Sequence, residues 1–345
     1  MSPEQQQSSP NAEEVRVNAV GVSGGKSWNP ALEASVGKEV VAFKFGGSSL
    51  AGAERMLHAA SLVREAAQAS PIVVVVSAMK GMTNRLLEIG QLLALTRSLA
   101  ARTEALTVIE AHLAVLRDLN LPTQDHEQVA HELELLSRDL LHETPSFGHV
   151  VVNSATYDRL ASFGERFAAR LFAAALLASG VTAVPVASSD FVVTCDTFRD
   201  ARADLEYTRH RGRQVLLPLL QAGIVPVITG FIGATADGRI TTLGRNSSDY
   251  SGALIAHVVD AAELVIWTDV DGVYTANPKE SEEAKLLHEL SYDEAHALAA
   301  NGAKVIHPHV LPLAAQSGMT VWIRNTFKPE GRGTRIGAQA NGGAA

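Results

Sequence analysis

The sequence predicts an α/β fold in which a mainly parallel sheet is covered on both faces by helices. Three consecutive stretches predict it. Val40 to Phe45 is a β-like run that ends in Gly46-Gly47-Ser48-Ser49; an amphipathic stretch follows from Ala53 to Ala67; and Ile72 to Val76 is a continuous apolar run introduced by Pro71. Strand, glycine turn, helix and strand make a βαβ unit, and a strand with no polar alternation is one buried on both faces.

The remaining elements fall in order. Residues 1–38, rich in Gln, Ser, Asn, Glu and Gly with no sustained apolar period, are expected to form a disordered arm. Residues 84–143 have helical spacing of Leu and Ala, broken at Pro122, and are expected to cap one end of the sheet. A long helix is expected over Leu160 to Ala178, then strands at Val181 to Val186 and Phe191 to Thr194. A helix near Arg213 to Gln221 leads into a strand at Ile224 to Ile228, which ends in Thr229-Gly230-Phe231-Ile232-Gly233. Another helix is expected over Ser251 to Val259, with strands at Glu263 to Thr268 and Thr320 to Ile323. Residues 338–345 read as a flexible tail, and no internal repeat is present.

Composition narrows the function classes. The 345 residues are 46% hydrophobic and 19% charged, with a formal net charge of −8 and no block of Lys and Arg, which argues against a nucleic-acid partner. The single cysteine, Cys195, excludes an intrachain disulfide and a thiolate metal site. The longest apolar runs fall far short of a membrane span, and the N-terminus lacks the basic start and apolar stretch of a signal peptide. A cytoplasmic protein without a membrane partner is the expectation.

Three segments carry candidate chemistry. In Lys44-Phe45-Gly46-Gly47-Ser48-Ser49 two glycines let backbone N–H groups approach a phosphate, and the helix that follows adds the positive end of its dipole. A structural turn would explain the glycines alone, but not a lysine inside an apolar strand, where an unpaired charge is costly. In Leu243 to Ser251, Arg245 offers a fork for a carboxylate or phosphate, Ser247 and Ser248 add hydroxyls, and Asp249 stands at a helix start, either as a cap or as the group that positions a lysine. Trp267 to Tyr274 lies at the C-terminal end of a strand, where open α/β sheets bind ligands.

Three look-alikes are set aside. Asp269 to Glu280 has acidic residues at the first, third and twelfth positions of a calcium loop, yet Val273 occupies the fifth and Tyr274 replaces the obligatory glycine. Gly24-Gly25-Lys26-Ser27 resembles the end of a Walker A loop without its leading glycine. His307-Pro308-His309 has no third ligand at helical spacing, so no metal site is expected from protein side chains.

Six blocks in order resemble the aspartokinases of the amino acid kinase superfamily: Lys44 to Ser49, Ser77 to Asn84, Ser162 to Arg166, Gly244 to Tyr250, Thr268 to Tyr274 and Gly302 to Pro308. The ending Ser48-Ser49-Leu50-Ala51 looks most like the kinase half of the bifunctional aspartokinase–homoserine dehydrogenases. The resemblance implies a three-layer αβα sandwich with a mainly parallel eight-stranded sheet. It divides residues 39–337 into an acceptor-binding lobe, 39–225, and a nucleotide-binding lobe, 226–337. By position, Lys44 would stabilise the transferring phosphoryl group while Gly46, Gly47 and Ser48 hold its oxygens. Thr83, Glu165, Arg245 and Ser248 would bind aspartate, Glu165 taking the α-amino group and Arg245 a carboxylate; Asp249 would orient the catalytic lysine. Thr268, Asp269, Tyr274, Lys279 and Lys304 match nucleotide-binding positions.

Two positions depart from the family pattern. Lys279 stands where an arginine is usual, keeping the charge without the fork, and Asn301 stands where an aromatic is common. No ACT domain is recognised after residue 337, so feedback inhibition through such a domain is not expected. The implied activity is transfer of the γ-phosphoryl of ATP, with Mg2+, to the β-carboxylate of L-aspartate, the first step of lysine, threonine and methionine biosynthesis. A homodimer through the kinase domain is expected. Two alternatives stay open: a relative with another acceptor, such as glutamate, N-acetylglutamate or a nucleoside monophosphate, and a non-catalytic regulatory subunit on the same fold.

Overall fold

A computed structural model describes residues 39–338, apart from 149, 246, 277–280, 282 and 301–305 and the side chains of 299 and 300. Residues 1–38 therefore lie outside the described residues, as do Lys279, Asn301 and Lys304.

The strands are β1 (Val41–Phe45), β2 (Ile72–Val76), β3 (Ala183–Val186), β4 (Val193–Thr194), β5 (Val225–Thr229), β6 (Ile232–Thr235), β7 (Ile240–Thr242), β8 (Glu263–Thr268), β9 (Val273–Tyr274), β10 (Leu286–Leu287), β11 (Glu289–Ser291), β12 (Thr320–Asn325) and β13 (Thr334–Gly337). The helices are α1 (Ala53–Ala67), α2 (Met82–Ala94), α3 (Ser98–Asp118), α4 (Thr123–Glu143), α5 (Ser154–Ala178), α6 (Leu205–Gln221), α7 (Ser248–Val258), α8 (Tyr292–Ala300) and α9 (Val310–Ser317).

Eight strands form one sheet in the order β11-β13-β12-β8-β1-β2-β5-β3. Every neighbour is parallel except β12 with β13. The expected mainly parallel eight-stranded sheet is therefore present. β1 lies at its interior, with Lys44 in register with Val75 of β2 and Ile266 of β8. Side chains of a strand alternate between faces, so Phe43 and Phe45 point one way while Ala42 and Lys44 point the other. The core follows the same division. Phe43, Phe45, Val74 and Val76 pack with α1 and α5, whereas Ala42, Val73, Val75 and Ile266 pack with α6, α7 and α9.

Several expected boundaries shift, each for a local reason. α5 begins at Ser154 rather than Leu160, because Asn153 accepts the Thr156 N–H and Thr156 returns the bond in a capping box. α6 begins at Leu205, capped by Asp204, which accepts the Tyr207 N–H at 2.9 Å. The segment expected as a strand at Phe191 to Thr194 contributes only two residues, in a separate three-stranded sheet ordered β4-β6-β7. The helices of 82–143 pack on one another and on α5, which in turn lies against β2, β3, β5 and β7. They form an outer layer on one face, not a cap over the sheet's end.

Candidate active site

Lys44 is carried by β1 into the interior and is 7% exposed. Its side chain leaves on the α7 face, and space for the stem is made by Gly252, where a Cβ would lie 3.1 Å from that of Lys44. The ammonium meets Asp249 in the first turn of α7, with Nζ 2.6 Å from Oδ1. A lysine this buried needs a counter-charge, and removing one partner of such a pair commonly costs about 3–5 kcal/mol. The same ammonium and the Ser48 hydroxyl both lie beside Gly46, 3.9 and 4.0 Å from where a Cβ would sit.

Gly46 and Gly47 follow directly. The Gly46 N–H donates to the Trp267 carbonyl at the end of β8, and Gly47 accepts from the Lys80 N–H, both at 3.0 Å. A Cβ on Gly47 would lie 2.5 Å from the Ala78 carbonyl oxygen, so only glycine lets the two turns after β1 and β2 touch.

Glu165 reaches the site from α5. It is 2% exposed, and its Oε1 accepts the Ala78 N–H at 3.0 Å. Gly164 allows this approach, since a Cβ there would lie 2.7 Å from the Ala78 Cβ. Burial pushes the Glu165 carboxyl up to about 8, against the lowering effects of the Ala78 bond and the Lys44 charge. Its Oε2 is buried without a hydrogen-bond partner among the described residues. A buried carboxylate oxygen left open is a place for a cation or donor brought by a ligand.

The second motif is closed by the end of β5. A Cβ on Gly230 would lie 3.5 Å from the Ser248 Cβ, and the Phe231 N–H donates to the Ser251 hydroxyl at 2.7 Å. Ser247 is fully buried, with no partner for its hydroxyl among the described residues. Arg245, exposed, lines a cleft of about 360 Å³ with Asn84, Glu88, Gln91, Tyr157 and Arg199. Thr83 opens α2 next to Asn84.

Thr268 ends β8, and its carbonyl accepts the Thr326 N–H at 2.8 Å. Its hydroxyl is 3.5 Å from the exposed Asp269. Tyr274 sits on β9, held to β12 and β13 through the loop before it: Asp271 pairs with Asn325 at 2.5 Å and with Lys328 at 3.0 Å, and the Val273 N–H donates to Thr334 at 2.8 Å. Lys44, Gly46, Ser48, Asp249 and Glu165 thus converge, with Ser248 at the start of α7 beside Gly230 and Thr268 at the end of β8. Tyr274 belongs to a separate hairpin, β9 with β10. Tyr157 and Arg199, which share the cleft of Arg245, were not singled out in the sequence, because a polar helix start and an irregular loop carry no motif.

A model of the amino acid kinase family matches residues 39–325. The lysine-sensitive aspartokinase 3 of Escherichia coli is 34% identical over 86% of the chain. Aspartokinase 1 of Arabidopsis thaliana chloroplasts is 34% identical over 85%, and the Chlamydia pneumoniae aspartokinase 32% over 86%. The chain spans 64%, 51% and 62% of the length of these three relatives, respectively. The crystal structure of E. coli aspartokinase III with aspartate and ADP superposes with a TM-score of 0.75 at 31% identity, covering 88% of this chain and 65% of that one.

Proposed function

The chain belongs to the amino acid kinase family, and from that premise we propose that it is an aspartate kinase, transferring the γ-phosphoryl of ATP to the β-carboxylate of L-aspartate to give 4-phospho-L-aspartate and ADP. The single observation that carries the acceptor is Glu165, buried with one oxygen open and the Lys44 ammonium within range. Such a group pairs with an α-ammonium, and Arg245 in the adjoining cleft supplies the fork for a carboxylate. Relatives named as aspartokinases, and the aspartate and ADP held by the E. coli enzyme, support the same assignment.

A carboxylate is already a nucleophile at neutral pH, so the residues have to position two anions and neutralise the charge between them. In this reading Lys44, held by Asp249, stabilises the phosphoryl in flight, and Gly46, Gly47 and Ser48 contact its oxygens. Thr83 and Ser248 complete the acceptor site, while Thr268, Asp269 and Tyr274 receive the nucleotide, joined by Lys279 and Lys304. The lobes, 39–225 for the acceptor and 226–337 for the nucleotide, follow from these roles. Mg2+ would accompany ATP and supply charge neutralisation at its phosphates. The described residues hold no cluster of three His, Cys, Asp or Glu, and an ion held chiefly by phosphates and water needs none.

The cytoplasmic setting and the homodimer belong to this reading, both resting on the family resemblance. Among the described residues no helix is long and apolar enough to cross a membrane. The place in lysine, threonine and methionine biosynthesis follows from the reaction.

The test is a panel of aspartate, glutamate, N-acetylglutamate and a nucleoside monophosphate with Mg·ATP, trapping acyl phosphate with hydroxylamine. Aspartyl hydroxamate and matching ADP are expected. Faster turnover of another acceptor overturns the substrate, and ATP binding without turnover of any acceptor overturns the enzyme.

A further inference from the structure

The cleft that holds Arg245 contains a second guanidinium. Arg199 lies on the loop between β4 and α6, exposed, with its guanidinium 5.1 Å from the centre of the Tyr157 ring. Neither arginine side chain forms an ion pair among the described residues, and both line the same cavity.

Their backbones are fixed to one another. Asp158, 2% exposed, accepts the Arg199 N–H at 2.8 Å and the Thr242 N–H at 2.9 Å on one oxygen, and the Thr242 hydroxyl at 2.8 Å on the other. Thr242 ends β7, three residues before Arg245. The Ala201 N–H donates to the Thr242 carbonyl at 2.9 Å, and Asp200 presses on Gly244, where a Cβ would lie 2.6 Å from its carboxylate oxygen. One buried carboxylate therefore registers α5, the Arg199 loop and the turn into Arg245.

Arg199 also has a φ of 72°, in the left-handed region that is costly for a non-glycine residue. The bond to Asp158 offsets that cost. Tyr157 and Asp158 precede Glu165 by eight and seven residues on the same helix, about 12 Å along its axis at the start of that interval. Arg199 and Arg245 thus share a cleft whose lining includes neither Lys44 nor Glu165.

We propose that Arg199 is a specificity-determining residue that joins Arg245 in binding the non-reacting carboxylate of the acceptor, and that Asp158 is the positioning residue that holds it there. The inference rests on the aspartate kinase reading. It assigns a pair of guanidinium forks to one carboxylate, which selects a diacid over a monoacid of similar size.

Arg199→Ala tests it, since alanine and arginine carry the same left-handed strain and the side chain removed is exposed. Loss of a charged hydrogen-bond partner should raise the KM for aspartate about ten- to a hundredfold. The KM for ATP and the melting temperature should stay at parent values. With the α-carboxamide of aspartate as acceptor the penalty should largely vanish, because the partner of Arg199 is gone. Asp158→Asn should raise the aspartate KM in the parent and add little in the Arg199→Ala background. If that variant fails to fold, the two acceptors decide alone. An unchanged aspartate KM, or equal penalties with both acceptors, overturns the proposal while turnover of aspartate by the parent leaves the kinase reading intact. A parent chain that makes no aspartyl hydroxamate overturns both.

Discussion

Glu165 bears two opposing demands. Its carboxyl is raised from about 4.5 to about 8 by burial, so the empty folded chain binds a proton there that the unfolded chain has released. Between those values the folded state holds more protons, and its stability falls as pH rises through the window. Binding an α-ammonium favours the ionised form, so acceptor binding releases that proton and is strengthened by rising pH. The aspartate KM should therefore fall from about pH 6 to about pH 8 and then level off. Glu165→Gln should abolish that slope and weaken aspartate binding, yet melt at a higher temperature than the parent near pH 8 without substrate. A flat KM profile in the parent would remove the ammonium from Glu165. None of this was visible in Ser162-Phe163-Gly164-Glu165-Arg166 as residues; the resemblance supplied the role, and the packing of Gly164 and Ala78 supplies its cause.

The groups proposed to act in catalysis are positioned by close approaches between elements, and glycines make them. α5 can bring Glu165 to the Ala78 N–H only because Gly164 has no side chain at that crossing. Gly164→Ala is expected to lower stability by about 1–3 kcal/mol through overpacking, seen as a lower denaturation midpoint with an unchanged slope. The aspartate KM should rise with it as the bond to Ala78 lengthens. Parent-like stability and KM together would show that the crossing has slack. Elements with strong periodicity or continuous apolar runs, such as β1, β2 and α1, were legible within a residue in the sequence. The short strands β6, β9, β10, β11 and β13 were not, because two to four residues cannot show a period and their pairing is set by tertiary contacts. The same limit hid the starts of α5 and α6, whose first turns are polar and defined by caps instead of an apolar face.

Across the whole molecule, the parallel sheet gathers segments more than a hundred residues apart at one rim. β1 is flanked by β2 and β8, so the turn after β1 touches both the Ala78 turn and the Trp267 carbonyl. The β1–β2 adjacency follows from the βαβ pattern, and the period of two sends Lys44 to the face opposite Phe43 and Phe45. That the helix carrying Asp249 faces Lys44 did not follow from the residues alone, since one sequence does not state which motif faces which; the resemblance implied the pair. The nucleotide side is less complete: Thr268 and Tyr274 are placed on β8 and β9, whereas Lys279 and Lys304 lie outside the described residues.

The account turns on Lys44 as the charge that stabilises the phosphoryl group between nucleotide and acceptor. The most direct measurement is the turnover number of Lys44→Ala with saturating Mg·ATP and aspartate, read as trapped hydroxamate, on protein whose circular dichroism matches the parent. The expected result is a fall on the order of 10²–10³, the usual effect of deleting one preorganised charge stabiliser. Turnover within about twofold of the parent, well below that range, would contradict it.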